Sequence, residues 1–213
     1  DVRVLGTMKW DNAIITDAID GSNELAKDIG IDKNKPLIVA GSTTPMEDQL
    51  LRNSVPDGIQ LMCAPRKPEW FEDAAKILHP CNRRTSSERI KTNYFLLDTI
   101  GELDQAFDLA DIVVIGRSFS PLHGSDPTQS IACGKPTIIG PNVSDFEDMV
   151  SLLLKGGGIL QCTQGELSNV IHPLLENNGE CKMLIENGRK IISEQQGATM
   201  RYEQLIAEAT PNG

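Results

Sequence analysis

Short β-branched runs alternate with helix-patterned stretches along most of this chain, and Gly, Pro, Asp or Ser separates each pair. The strand candidates are residues 2–5, 36–40, 59–64, 94–97, 112–115, 137–139 and 158–162. Most are continuously apolar, as a strand must be when helices cover both faces of its sheet. Helix patterns fall at 23–29, 47–53, 68–78, 102–110, 127–133 and 146–154. Such alternation implies a parallel sheet built from right-handed βαβ units, so the expected class is α/β, Rossmann-like, with a mostly parallel sheet flanked by helices. The last third changes character. Residues 166–176, 181–194 and 199–209 read as three closing helices punctuated by Gly165, Gly179 and Gly197, with a turn at Asn177-Asn178-Gly179. No long linker or repeat interrupts the series. One domain over residues 1–210 is expected, with a frayed tail at Pro211-Asn212-Gly213.

With 213 residues and 39% hydrophobic residues, the chain can bury a full core. Its formal net charge of -10 argues against nucleic acid or an anionic membrane surface as a partner. A local anion site is still compatible, because helix N-termini and a few cations can hold a phosphate on an acidic protein. Five scattered cysteines without a C-x-x-C pair read as free thiols of a reducing cytoplasm. No apolar run approaches the ~20 residues of a membrane span, and no basic-then-apolar leader is present.

Ligands of open α/β sheets bind beyond the carboxyl ends of the strands. Five loops lie there. Gly41-Ser42-Thr43-Thr44-Pro45 offers hydroxyls and free N–H groups for a phosphate, although a Ser or Thr cap on the next helix explains it without a ligand. Arg66 and Lys67 follow a strand end between two prolines, and the planar fork of Arg66 suits two phosphate oxygens, or a carboxylate of the protein itself. Asp98-Thr99-Ile100-Gly101-Glu102-Leu103 reads either as a capping box from Thr99 to Glu102 or as the lip of a base pocket. The stretch 116–127 is long and rich in Gly and Ser, and it runs into a helix with Asp126 as N-cap and Pro127 behind it, which favours function. His123 within it is either an anion contact or a solvated loop residue, and His79 and His172 read as structural. The fifth loop spans residues 140–145.

No G-x-G-x-x-G follows a strand, since Gly156-Gly157-Gly158 lacks the third glycine and the helix context. There is no P-loop, no metal-ligand spacing and no Ser/His/Asp motif in its context. No cofactor is therefore implied, no metal and no catalytic residue can be named, and a ligand here would be held by loops and helix termini.

Taken in order, these loops resemble the C-terminal half of the Kdo (3-deoxy-D-manno-octulosonic acid) transferases, glycosyltransferases of GT-B architecture. Leu5-Gly6-Thr7-Met8-Lys9-Trp10-Asp11 is similar to the family's T-G-N-L-K-F-D, and Gly41-Ser42-Thr43-Thr44 stands where the family has S-T-H. Pro65-Arg66-Lys67-Pro68-Glu69-Trp70-Phe71 resembles P-R-H-P-E-R-F. Asp98 to Leu103 resembles D-T-M-G-E-L, followed by the similar Ala110-Asp111-Ile112. Gly134-Lys135-Pro136 through Gly140-Pro141, then Asp145-Phe146-Glu147-Asp148, resembles G-K-P-V-x-x-G-P and N-F-x-D/E. The likeness is colinear over essentially the whole chain. Departures concentrate in one loop, where the family's G-G-S-L…G-G-H-N-P-L-E reads Gly116-Arg117-Ser118-Phe119…His123-Gly124-Ser125-Asp126-Pro127-Thr128-Gln129. Gln129 replaces the family Glu, and Thr44 replaces the His.

The resemblance implies CMP-Kdo as donor, with no metal required. It implies a lipid A precursor as acceptor, held by an N-terminal domain that also carries the catalytic carboxylate and any membrane contact. That domain would precede Asp1, in a protein working at the cytoplasmic face of the inner membrane. The chain alone would then bind donor and transfer no sugar. The α-phosphate is expected near Ser42 and Arg66, and the base beside the backbone of Ile100, Gly101 and Glu102. Ribose or sugar is expected along Asp126 to Gln129, with Thr43, Ser118 and Gly124 as further nucleotide-sugar-binding residues. Two other readings stay open: half of a UDP-sugar-dependent transferase or epimerase, and a diverged, non-catalytic nucleotide-binding domain.

Overall fold

A computed structural model describes residues 3 and 5–209. Seven strands form one sheet: β1 (Leu37–Thr43), β2 (Gln60–Pro65), β3 (Asn82–Arg83), β4 (Tyr94–Leu96), β5 (Ile112–Ile115), β6 (Thr137–Ile139) and β7 (Leu160–Gln161). Their order is β3-β4-β2-β1-β5-β6-β7, and every pairing is parallel. The helices are α1 (Ser22–Ile29), α2 (Pro45–Ser54), α3 (Phe71–Leu78), α4 (Leu103–Leu109), α5 (Thr128–Ala132), α6 (Glu147–Lys155), α7 (Leu167–Glu176), α8 (Asn178–Gln195) and α9 (Ala198–Ala209).

Side-chain alternation along each strand divides the interior into two cores. Leu37, Val39, Met62, Val113 and Ile115 face α1, α4, α5 and α6 through Leu25, Ile29, Phe107, Ile131 and Leu153. Ile38, Ala40, Leu61, Ile112 and Val114 face α2, α3 and α7 through Leu51, Leu78, Leu167 and Ile171. Helix α8 contributes to both, with Leu184 in the second core and Ile191 and Ile192 in the first. Where α8 crosses the end of α6, a Cβ on Gly158 would stand 2.6 Å from the Gly188 Cα, so backbone meets backbone there. The Gly156-Gly157-Gly158 run is a packing site.

The family-like opening segment joins the two ends of the described chain. Asp11 accepts hydrogen bonds from the Gly197 and Thr199 N–H groups and the Thr199 hydroxyl, capping α9. Those bonds, led by the Thr199 hydroxyl, hold the Asp11 carboxyl below its usual range. Trp10 is buried beneath.

Several boundaries differ from the sequence expectation. The strand expected at 2–5 and the tail at 211–213 lie wholly or partly outside the described residues, and Arg3 and Leu5 are not in a strand. β1 continues through Gly41, Ser42 and Thr43, residues that composition marks as loop, with a register shift between Gly41 and Thr43. β3 escapes sequence reading because two polar residues carry no apolar run. Asn177 is the N-cap of α8, its side chain accepting from the Glu180 N–H, so no turn separates Asn178 from the helix. The capping box from Thr99 is also absent, since Glu102 itself occupies the α4 N-cap and its side chain makes no capping bond to the helix backbone. Among the described residues, no helix is long and apolar enough to cross a membrane. All five cysteines are unbridged.

Candidate functional site

β1 and β5 are neighbours, yet the chain visits β2, β3 and β4 on one side before returning to β5 and building β6 and β7 on the other. The crevice outside their carboxyl ends is the topological switch point of the sheet. A cavity of about 290 Å³ opens there. Its floor is Gly41 and Ile115, one wall is Leu103, Asp104 and Phe107, and the other is Arg117, Ser125, Asp126, Thr128 and Gln129. Ser42, Arg66, Asn12 and Phe146 complete the rim.

Close backbone approach shapes this floor. Ser42 adopts φ 59°, inside the β1 irregularity. A Cβ on Gly116 would lie 2.5 Å from the Ser42 carbonyl oxygen and 2.7 Å from the Thr43 Cα, so only glycine fits at the end of β5. Beyond Ser42, Thr44 caps α2 in a full capping box with Glu47. The capping explanation for that loop therefore holds for Thr44, while Ser42 faces the cavity.

Polar groups in the wall are unevenly satisfied. Asp126 is committed, its Oδ1 accepting from the Thr128 N–H at 2.8 Å and the Thr128 hydroxyl at 2.7 Å. Pro127, one residue later than the sequence suggests, occupies the helical N-cap. Ser125 is 8% exposed, and its hydroxyl oxygen has no hydrogen-bond partner. Leaving such a group unpaired costs about 1–3 kcal/mol, so a ligand that reaches it gains by supplying the partner. Arg66 is exposed and makes no side-chain hydrogen bond or ion pair among the described residues. The adjacent Lys67 is engaged, 3.6 Å from Glu69 and 5.1 Å above the Trp70 ring. Of these two cations, the arginine is the unengaged one among the described residues.

Ser42, Arg66, Asp126 and Gln129 come together at this cavity. The other expected residues do not border it. Thr43 is fully buried with its side chain turned towards Asp48. Ser118 is also fully buried; its hydroxyl donates to the Ile115 carbonyl at 2.5 Å and accepts from the Gly140 N–H at 2.7 Å. Small hydroxyls at strand ends satisfy stranded backbone groups, and that is what Ser118 does. Gly124 lies behind the wall at φ 83°, where a Cβ would stand 2.9 Å from the Asn142 carbonyl oxygen. Ile100 is 71% exposed, and Gly101 is exposed beside it. The Glu102 carboxylate is bonded to Arg84 and to the Thr99 hydroxyl; burial pushes its carboxyl up, but those bonds hold it below the usual range. Asp98 behaves alike: burial is outweighed by bonds from Thr85 and Arg83. The two acids of that motif thus pin the loop that delivers Leu103 to the wall.

Sequence reasoning does not single out Asn12, Asp104, Arg117, Thr128 or Glu47 as contributors to the site. Glu47 reads as a first-turn helix acid, yet its buried carboxylate also accepts from the Arg117 and Phe119 N–H groups at 2.8 and 2.9 Å. Only its place three residues after Thr44 is visible in the sequence. A second cavity of about 320 Å³ is lined by His123, Asn142, Ser144 and Glu147 among others, with His123 Nδ1 2.7 Å from the Ser144 hydroxyl.

No protein-family model matches the chain. It is 26% identical to the 3-deoxy-D-manno-octulosonic acid transferase of Haemophilus influenzae, over 96% of this chain and 51% of that protein. The Bordetella pertussis enzyme of the same name is 26% identical over 93% of this chain and 49% of its own. The chain thus spans about half the length of these curated relatives. Among solved structures, the C-terminal CMP-Kdo binding domain of WaaA from Acinetobacter baumannii superposes with a TM-score of 0.72 at 20% identity, over 80% of this chain and 95% of that one. Anabaena HepE in complex with UDP-glucose superposes at 0.64 with 15% identity, over 90% of this chain and 52% of its own. By sequence the chain is similar to Kdo transferases, and its fold matches the Rossmann-like half of GT-B glycosyltransferases.

Proposed function

We propose that this chain is the donor-binding half of a glycosyltransferase that moves Kdo from CMP-Kdo to a lipid A precursor in lipopolysaccharide biosynthesis. The supporting observation is the switch-point cavity, where an unpaired buried hydroxyl at Ser125 and an unengaged cation at Arg66 face one space. The phosphate sits at Ser42 and Arg66, where a planar guanidinium can hold two oxygens. The ribose lies along Asp126 to Gln129, and the base reaches towards Leu103 and the 100–102 loop. The acceptor, the catalytic base and any membrane contact belong to an N-terminal domain, at the cytoplasmic face of the inner membrane. The 213-residue chain alone binds donor and transfers no sugar.

A second reading, a UDP-sugar enzyme, draws on Gln129 in place of the family Glu and on the shared fold of a protein solved with UDP-glucose. Calorimetric titration of the chain with CMP, UMP and AMP separates the two. CMP is expected to bind about threefold or more tightly than either other nucleotide, the worth of one neutral hydrogen bond to the base. Tightest binding of UMP would favour the second reading, and equal affinity for all three would defeat both.

A further inference from the structure

We infer that Glu47 is a positioning residue for the nucleotide site: from the first turn of α2 it holds residues 117–120 in the shape that makes one wall of the cavity. The inference rests on the cavity being a nucleotide site.

Glu47 is 1% exposed, and both carboxylate oxygens are used. Oε2 accepts from the Thr44 N–H at 3.0 Å, the Thr44 hydroxyl at 3.1 Å and the Arg117 N–H at 2.8 Å. Oε1 accepts from the Phe119 N–H at 2.9 Å and lies 3.5 Å from the Ser120 hydroxyl. A capping box requires only the bonds to Thr44. The bonds to the 117–120 segment add nothing to α2 and tie down a stretch of chain seventy residues away.

That stretch needs holding. Arg117 sits at φ 58°, in the left-handed region that disfavours a side chain. Bonds to an ionised acceptor are roughly twice as strong as neutral ones, which suits Glu47 to keep it there. In this conformation Arg117 borders the cavity, with its guanidinium donating to the Leu122 carbonyl at 2.8 Å. The next residues lock onto the end of β6, through Asn142 N–H to the Ser118 carbonyl and Gly140 N–H to its hydroxyl. Glu47 thus joins α2, the wall segment and β6 ahead of Ser125 and Gln129.

Glutamine at this position keeps the volume but cannot accept on both sides. Its amide group would face either the Phe119 N–H or the N–H pair of Thr44 and Arg117, donor against donor. The test compares Glu47→Gln with Thr44→Ala, which breaks the same capping box from its other side and leaves the bonds to the wall intact. CMP affinity and melting temperature are measured for both and for the unaltered chain. Glu47→Gln is expected to weaken CMP binding about tenfold or more, while Thr44→Ala lowers the melting temperature with CMP affinity changed less than about twofold. Equal CMP affinity in Glu47→Gln and the unaltered chain, or equal losses in both variants, would overturn the positioning role alone. Absence of CMP binding by the unaltered chain would overturn the nucleotide reading with it. If Glu47→Gln does not fold, amide exchange of the unaltered chain decides. Slow exchange at Arg117 and Phe119 is expected, and exchange at the rate of open loop would refute the role.

Discussion

Asp48→Asn is expected to stabilise the fold by about 3 kcal/mol at pH 7.5, a gain that fades as the pH falls towards 4. Asp48 is fully buried at the start of α2, and neither carboxylate oxygen has a hydrogen-bond partner of normal geometry. Burial pushes its carboxyl from the ordinary 3.8 up to about 6; the nearby Thr43 hydroxyl and Cys63 thiol oppose the rise, and Glu47 adds to it. At about 1.4 kcal/mol per pKa unit, that difference is the cost of keeping the group ionised inside the protein at neutral pH. The direction is opposite to that of a salt-bridged acid. Between pH 3.8 and about 6 the folded chain keeps a proton that the unfolded chain has released, so stability falls as pH rises and the full cost persists above about 6. Below 3.8 both states are protonated and the cost is gone. Asparagine carries no charge at any of these values, and its amide can donate to the unpartnered Thr43 hydroxyl. Urea denaturation of both proteins at pH 7.5 and pH 4 measures the effect. A variant less stable at pH 7.5, or a difference independent of pH, would show that Asp48 is satisfied in a way the burial argument misses.

The second large effect is on binding. Arg66→Ala is expected to weaken CMP binding roughly ten- to a hundredfold, the worth of about 1.5–3 kcal/mol for a charged hydrogen-bonding partner. Lys67→Ala should change it less than about twofold, because its ammonium is held by Glu69 and Trp70 and exposed pairs contribute little. Cytidine, which lacks the phosphate, should bind Arg66→Ala and the unaltered chain alike. Calorimetry with both ligands reads all three outcomes. A loss of cytidine affinity as large as that for CMP would mean that Arg66 supports the base or ribose instead of the phosphate.

The sequence reads well where a physical pattern is local. β5 and β6 coincide with their apolar runs because Asp111 and Pro136 bound them, and both faces of each strand are covered. The carboxyl-end rule brings Ser42, Arg66, Asp126 and Gln129 to one cavity because strand polarity alone selects those loops. It cannot say which way a small hydroxyl turns. Thr43 and Ser118 point inward, since in one case the strand runs on past Gly41 and in the other a stranded Gly140 N–H needs an acceptor. Arg83 and Arg84 are equally invisible as partners of Asp98 and Glu102, because one ends a two-residue strand with no hydrophobic pattern and the other directly follows it. Glu47 is the clearest case. Its helix-capping role follows from spacing, whereas its hold on Arg117 and Phe119 depends on β1 and β5 lying side by side.

Amide chemical-shift mapping during a CMP titration decides whether the β1–β5 crevice is the nucleotide site. Shifts are expected at Ser42, Arg66 and Arg117 and along residues 125–129, saturating together with one affinity. Shifts concentrated instead at His123, Asn142, Ser144 and Glu147, or none at millimolar CMP, would contradict it.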